Sequence, residues 1–203
     1  MGMIFCLATA SDDTIAKVHD DPRLIYRAIY NDDPEIYEEL SAPPKKPGFL
    51  ARLFGAKEVD APPPPPAIEF PSEDFQDYDL DKAWHGIHFL LTGSDWEGDP
   101  PLNFIVAGGK EIGQEDLGYG PGRSFLSEEV HAIDSALEAV TIEEFKSNFD
   151  PEAMMKADIY PTIWDRDPED DDTLGYLVEF FEGLKRFIST AADKGLGLIV
   201  WIG

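Results

Sequence analysis

Residues 198–202 constrain the fold more than any other part of the sequence, because all five side chains there are apolar. A strand with one solvated face alternates apolar and polar residues, whereas a strand covered on both faces reads as an uninterrupted apolar run. Two glycines, Gly195 and Gly197, separate this run from the helical pattern before it. The segment therefore predicts a buried central strand in a sheet that other elements cover.

Helical patterns fill much of the remaining sequence. A long amphipathic helix is predicted from about residue 173 to residue 193, and another at residues 79–92. Capping residues or prolines mark further helix starts at Ser11, Pro22, Ser127, Thr141 and Asp150. Short apolar runs at residues 3–8 and 102–107 predict strands. The fold class is α+β: a small, mostly buried sheet that includes the N- and C-terminal strands and is covered by several helices.

The charge balance restricts the classes of partner. The chain has 41 acidic and 16 basic residues, which gives a formal net charge of −25. A field of this sign repels phosphate backbones and anionic lipid head groups, so neither nucleic acid nor a membrane is expected as a partner. It attracts basic proteins, although a strongly acidic surface also serves solubility alone. Composition leaves both interpretations open.

Cysteine usage and hydropathy favour a cytoplasmic location. The single cysteine, Cys6, cannot form an intrachain disulfide and lies in an apolar run, where burial is its expected role. The first residues lack the basic segment of a signal peptide. No window reaches the roughly 20 apolar residues that a membrane-spanning helix needs.

One stretch, at about residues 41–71, differs in composition from the rest of the chain. Five consecutive prolines at 62–66 predict a stiff, solvated polyproline II segment. The apolar residues of 49–54 share one helical face and are flanked by basic residues. We predict a single domain over residues 1–203, with this proline-rich stretch as an insertion.

Several short motifs occur in a fixed order along the chain. They are Met1-Gly2-Met3-Ile4, Asp79-Leu80-Asp81-Lys82-Ala83-Trp84, His88-Phe89-Leu90-Leu91-Thr92-Gly93, Gly118-Tyr119-Gly120-Pro121, Arg123, and Ile159-Tyr160-Pro161 with Trp164. Together they resemble the YfbM-like family, a bacterial domain of unknown function. The resemblance implies a compact α+β domain and carries no assigned activity. It singles out six positions within family-like motifs: Trp84, His88, Tyr119, Arg123, Tyr160 and Trp164.

Two histidines on one predicted helix raise the question of a metal site. His85 and His88 are spaced i, i+3, which suits zinc if another element supplies a ligand such as His131. The apolar stripe of the same helix includes His88, however, and this favours a hydrogen-bonded core histidine. We expect no metal and no cofactor.

The segment 118–123 places a glycine-rich turn and Arg123 ahead of a capped helix. Backbone amides and a guanidinium in that arrangement can bind phosphate or carboxylate. The alternative is a tight turn locked by an arginine salt bridge. The segment lacks the Gly-Lys-Ser/Thr ending of a Walker loop, so it does not match the sequence fingerprint of a nucleotide-binding loop.

Other groups are weaker candidates. The acidic run at 165–172 lacks the glycine and the closing glutamate of an EF-hand, so we expect a solvated loop. Ser124 and Ser127 lie in no nucleophile elbow. No residue is assigned a catalytic role.

Three functions are compatible with these patterns. The first is a non-enzymatic protein-binding domain, inhibitor-like or immunity-like, whose partner is a basic protein. The second is a small anionic ligand-binding domain or enzyme with a pocket near His88 and Arg123, lined by aromatic residues of the same motifs. The third is a structural domain in which every motif serves packing. Charge and the proline-rich stretch favour the first.

Overall fold

Five antiparallel strands form one sheet in the part of the chain that the computed structural model describes, residues 2–30, 70–114 and 116–203. The strands are β1 (Phe5–Ala10), β2 (Asp77–Asp79), β3 (Lys110–Glu111), β4 (Arg123–Phe125) and β5 (Gly197–Ile202). Their order across the sheet is β2-β1-β5-β4-β3. The strand predicted at residues 198–202 therefore lies at the centre of the sheet, as expected.

The register of β1 and β5 explains the uninterrupted apolar run. Leu7 lies opposite Val200, and Ala8 lies opposite Ile199. Leu7 and Val200 belong to the larger core cluster, whereas Ala8 and Ile199 belong to a second cluster. Because neighbouring residues of a strand point to opposite faces, the two clusters cover the two faces of the sheet.

Helices supply the cover on both faces. The described helices are α1 (Asp12–Asp20), α2 (Ile25–Ile29), α3 (Trp84–Thr92), α4 (Ser127–Ala139), α5 (Ile142–Ser147), α6 (Pro151–Lys156) and α7 (Thr173–Asp193). Residues of α1 and α2 pack in the smaller cluster, and residues of α3 to α7 pack in the larger one. None of these helices is both long enough and apolar enough to cross a membrane. The expected α+β fold is confirmed.

Most of the predicted helix starts occur as expected. The Ser11 hydroxyl accepts the N–H of Thr14 at 3.3 Å, and Asp150 accepts the N–H of Ala153 at 3.0 Å. Helix α4 differs, since Leu126 occupies the N-cap position and Ser127 is the first helical residue. The Ser127 hydroxyl donates instead to Asp12 at 2.8 Å, which ties α4 to α1.

Two predicted elements are wrong in extent or type. The helix predicted at 79–92 begins only at Trp84, because Asp81 adopts a left-handed φ of 43° and residues 77–79 form β2. The strand predicted at 102–107 is a series of turns. Phe104 and Ile105 of this run are buried in the core, but the carbonyls of Ile105 and Ala107 bind an arginine side chain rather than a neighbouring strand.

The predicted insertion lies almost wholly outside the described residues. The amphipathic segment at 49–54 and the prolines at 62–66 are both in the part that is not described. Of the predicted range 41–71, only Phe70 and Pro71 are described, and Phe70 is buried in the smaller core cluster.

Candidate functional site

The six positions in family-like motifs form two groups. Four of them lie on α3 or on the loop between α6 and α7: Trp84, His88, Tyr160 and Trp164. The others are Tyr119, in the loop before β4, and Arg123, in β4 itself. Within the described residues, no hydrogen bond or ring contact joins either of these two to the first four. The predicted pocket near His88 and Arg123 is not assembled by direct contact, and it stays a prediction.

Four rings, which we call the aromatic column, run from the core to the surface: Trp84, His85, Trp96 and Tyr160. The Trp84 ring centroid lies 4.8 Å from that of His85 and 6.1 Å from that of Tyr160. Trp96 packs 4.7 Å from His85, yet 55% of its surface is exposed. The backbone of Met3 binds two members of the column. Its N–H donates to the Tyr160 hydroxyl, and its carbonyl accepts the Trp84 indole N–H.

Backbone groups on both sides hold His85 as a neutral imidazole. The N–H of Tyr160 donates to Nδ1 at 3.0 Å, which assigns the ring proton to Nε2, where it is donated to the carbonyl of Asp95 at 2.9 Å. Burial lowers the pKa of His85 below its usual 6.5, although contacts with Asp95 act in the opposite direction. Neither nitrogen can bind a metal without breaking a backbone hydrogen bond.

His88 is a core histidine, as its place on the apolar stripe predicts. The side chain is fully buried, and Nε2 lies 3.4 Å from the Thr92 hydroxyl, while Nδ1 has no hydrogen-bond partner among the described residues. Burial and the neighbouring His85 lower the pKa of His88 to about 4, against smaller opposing effects of Glu97 and Asp95. In the described residues, no group of three or more His, Cys, Asp or Glu side chains could hold a metal.

Trp164 lies beneath α3 and is almost fully buried. Its indole N–H donates to the carbonyl of Ile159 at 2.7 Å. Gly86 permits this packing, because a Cβ at that position would lie 2.8 Å from the Trp164 ring and 2.7 Å from Leu177. Glycine inside a helix costs stability relative to alanine, so the close approach of Trp164 explains its presence here.

Arg123 binds backbone carbonyls. One guanidinium nitrogen donates to Ala107 at 2.7 Å and to Gly108 at 2.9 Å, and the other donates to Ile105 at 2.7 Å. Burial lowers the pKa of Arg123 to about 10, with a partial offset from Glu111. The side chain therefore satisfies the carbonyls of the turns that replace the predicted strand at 102–107. Three of the five guanidinium N–H donors are used in this way, so the group is held mainly by the fold itself.

The glycine-rich turn before β4 binds a carboxylate from its own chain. Oδ1 of Asp116 accepts the N–H of Gly118 at 2.9 Å and that of Gly120 at 3.0 Å, and these bonds lower the pKa of Asp116. The N–H of Tyr119 donates to the carbonyl of Ile202. A Cβ on Gly118 would lie 2.9 Å from the backbone of Gly203. Close packing on β5 accounts for this glycine, and an external anion would compete with Asp116.

A cleft of about 570 Å³, which we call the acidic cleft, opens beside Trp164. Its lining includes apolar Phe149, Met155, Trp164 and Leu174, and acidic Glu152, Asp165 and Asp172. Arg166 also lines it, but its guanidinium pairs with Asp171 at 2.6 Å. The sequence does not predict this cleft, because its walls come from separate elements that carry no common motif.

A histidine and a serine that the sequence does not connect also meet. Nε2 of His19 and the hydroxyl of Ser124 lie 2.8 Å apart, and burial and Lys110 lower the pKa of His19, with an opposing effect of Asp20. The geometry resembles that of a nucleophile and its base. Ser124 is only 3% exposed, however. A substrate has no access to it, and the contact ties α1 to the sheet.

Comparison with known proteins places the chain in a family. Residues 1–201 match the family described as a domain of unknown function, DUF1877. The fold is similar to that of YfbM from Escherichia coli, a protein of unknown function, with a TM-score of 0.63 and 16% sequence identity over 98% of this chain and 99% of that chain. At this identity the likeness shows the fold alone. No curated protein matches the sequence. The resemblance seen in the motifs is confirmed, and the chain belongs to the DUF1877 family of domains of unknown function.

Proposed function

We propose that this domain binds a basic protein and catalyses no reaction. One observation on the described residues carries the proposal: Arg123 and the glycine-rich turn, the two groups that the sequence suggested for binding a small anion, are already hydrogen-bonded within the chain, whereas carboxylates face the solvent. Arg123 donates to three carbonyls, and Asp116 takes two amides of the glycine-rich turn. In the acidic loop at 165–172, most of the carboxylate side chains are exposed.

Long-range electrostatics supports a basic partner. A formal net charge of −25 produces a negative field around the domain. Such a field raises the association rate with a positively charged protein and disfavours acidic competitors. This mode of binding suits an inhibitor-like or immunity-like protein, which acts by covering a basic surface of its target. The single cysteine is in keeping with a cytoplasmic location.

The salt dependence of association tests the proposal. We expect a short peptide rich in arginine with one central leucine to bind, and its association rate to fall roughly tenfold or more as salt rises from about 0.01 to 0.15 M. The physical reason is that the screening length shrinks from about 30 to about 8 Å over this range. Stopped-flow fluorescence measures the rate. The control is the same peptide with glutamate in place of arginine, which should not bind. A rate that ignores salt, or equal binding of the two peptides, would remove the basis of the proposal.

A further inference from the structure

The acidic cleft is formed by parts of the fold that are fixed without a ligand. Phe149 follows α5, Met155 lies on α6, and Leu174 lies in the first turn of α7. Trp164 is 1% exposed and hydrogen-bonded to Ile159. A cleft of about 570 Å³ falls within the range of roughly 300–1000 Å³ that is typical of binding pockets. Because its walls are ordered beforehand, binding there loses little conformational entropy.

The lining of the acidic cleft specifies the chemistry of its occupant. Its apolar part can bury an apolar side chain away from water. A bare cation would lose its hydration there without gaining a polar partner. Glu152 and Asp165 are exposed, so they can face cationic neighbours of that side chain. Among the described residues that line the cleft, Arg166 is the one cation, and it is already paired with Asp171. The charge of the cleft therefore disfavours an anionic ligand.

We infer that the acidic cleft anchors one apolar side chain, of about leucine size, that a basic protein presents between lysine or arginine residues. This inference rests on the proposed function and adds the place of contact. Charge complementarity selects the partner, and burial of the apolar side chain in the cleft fixes its register. In peptide recognition this is the usual division between electrostatic steering and an apolar anchor.

Two peptides and two variants separate the anchor from general attraction. The peptides are rich in arginine and differ only in a central leucine or serine. Leu174→Asp removes an apolar wall and adds a negative charge, and helix α7 should tolerate it because aspartate is favourable in a first turn. Leu126→Asp makes the same chemical change at an exposed leucine in the N-cap position of α4, outside the cleft. It is therefore a matched control.

Dissociation constants from fluorescence anisotropy give the result, with circular dichroism to verify that each variant is folded. We expect the wild-type domain and Leu126→Asp to prefer the leucine peptide by roughly tenfold or more. In Leu174→Asp we expect this preference to be lost, although the added charge keeps or strengthens binding of the serine peptide. Equal binding of both peptides by the wild type, or a preference that survives in Leu174→Asp, would overturn the anchor while leaving the proposed function intact. Binding of neither peptide would overturn both.

Discussion

Replacing Arg123 by alanine should lower the free energy of unfolding by about 2–4 kcal/mol. The side chain donates to the carbonyls of Ile105, Ala107 and Gly108, and these turns have no strand partner to replace it. Arg123→Lys should recover part of the loss, because an ammonium can reach some of the carbonyls but lacks the planar fork of donors. Urea denaturation followed by tryptophan fluorescence measures the effect.

Arg166→Ala is the matched control for this experiment. Its guanidinium pairs with Asp171 at 2.6 Å, but both side chains are largely exposed, so the loss should not exceed about 1 kcal/mol. Equal stability of Arg123→Ala and the wild-type domain would show that the turns at 102–107 hold without the arginine. In that case the hydrogen bonds of Arg123 would not account for its presence, and a ligand-binding role would become the better explanation.

Acidification should destabilise the domain through His88. The unfolded chain binds a proton at this residue below about pH 6.5, whereas the folded protein binds one only near pH 4. Stability is therefore complete above pH 6.5, falls as the pH drops through this window, and levels off below it. The part due to His88 amounts to roughly 3 kcal/mol. The side chain of the His88→Gln variant cannot be protonated. Between pH 7 and pH 4, the free energy of unfolding of this variant should therefore fall by roughly 3 kcal/mol less than that of the wild-type domain.

Only the difference between the two pH profiles is diagnostic. Loss of negative charge on acidification relieves repulsion, and His19, whose pKa is also lowered, contributes to both proteins equally. Parallel profiles for His88→Gln and the wild type would mean that the folded protein protonates His88 as readily as the unfolded chain does.

Local signals made the helices and the central strand predictable. Helix α7 begins and ends where its apolar stripe and the following glycines indicate, because these signals lie within or beside the helix itself. The apolar run of β5 requires cover on both faces, and the two core clusters supply it. The family was also predictable, since its motifs keep their order along the chain.

Features that depend on distant partners were not predictable from local patterns. The run at 102–107 has the composition of a strand, but it forms turns whose carbonyls bind Arg123, a residue that lies well outside the run. Asp116 could have been suspected from its place two residues before Gly118, a spacing typical of a side chain that closes its own turn. Trp96 of the aromatic column follows no helical or strand periodicity in the sequence. The same holds for the residues that line the acidic cleft taken together, so the sequence predicts neither grouping.

Backbone amide mapping by NMR tests the central claim most directly, because it locates the bound peptide on the domain. On addition of the arginine-rich leucine peptide to the wild-type protein, we predict that the perturbed resonances cluster at the acidic cleft, including the amides of Met155 and Leu174 and the indole N–H of Trp164. The amides of Gly118 and Gly120 should stay unchanged, since they are held by Asp116. Perturbations centred on residues 118–123, or on the surroundings of His88, with an unperturbed cleft would contradict the claim.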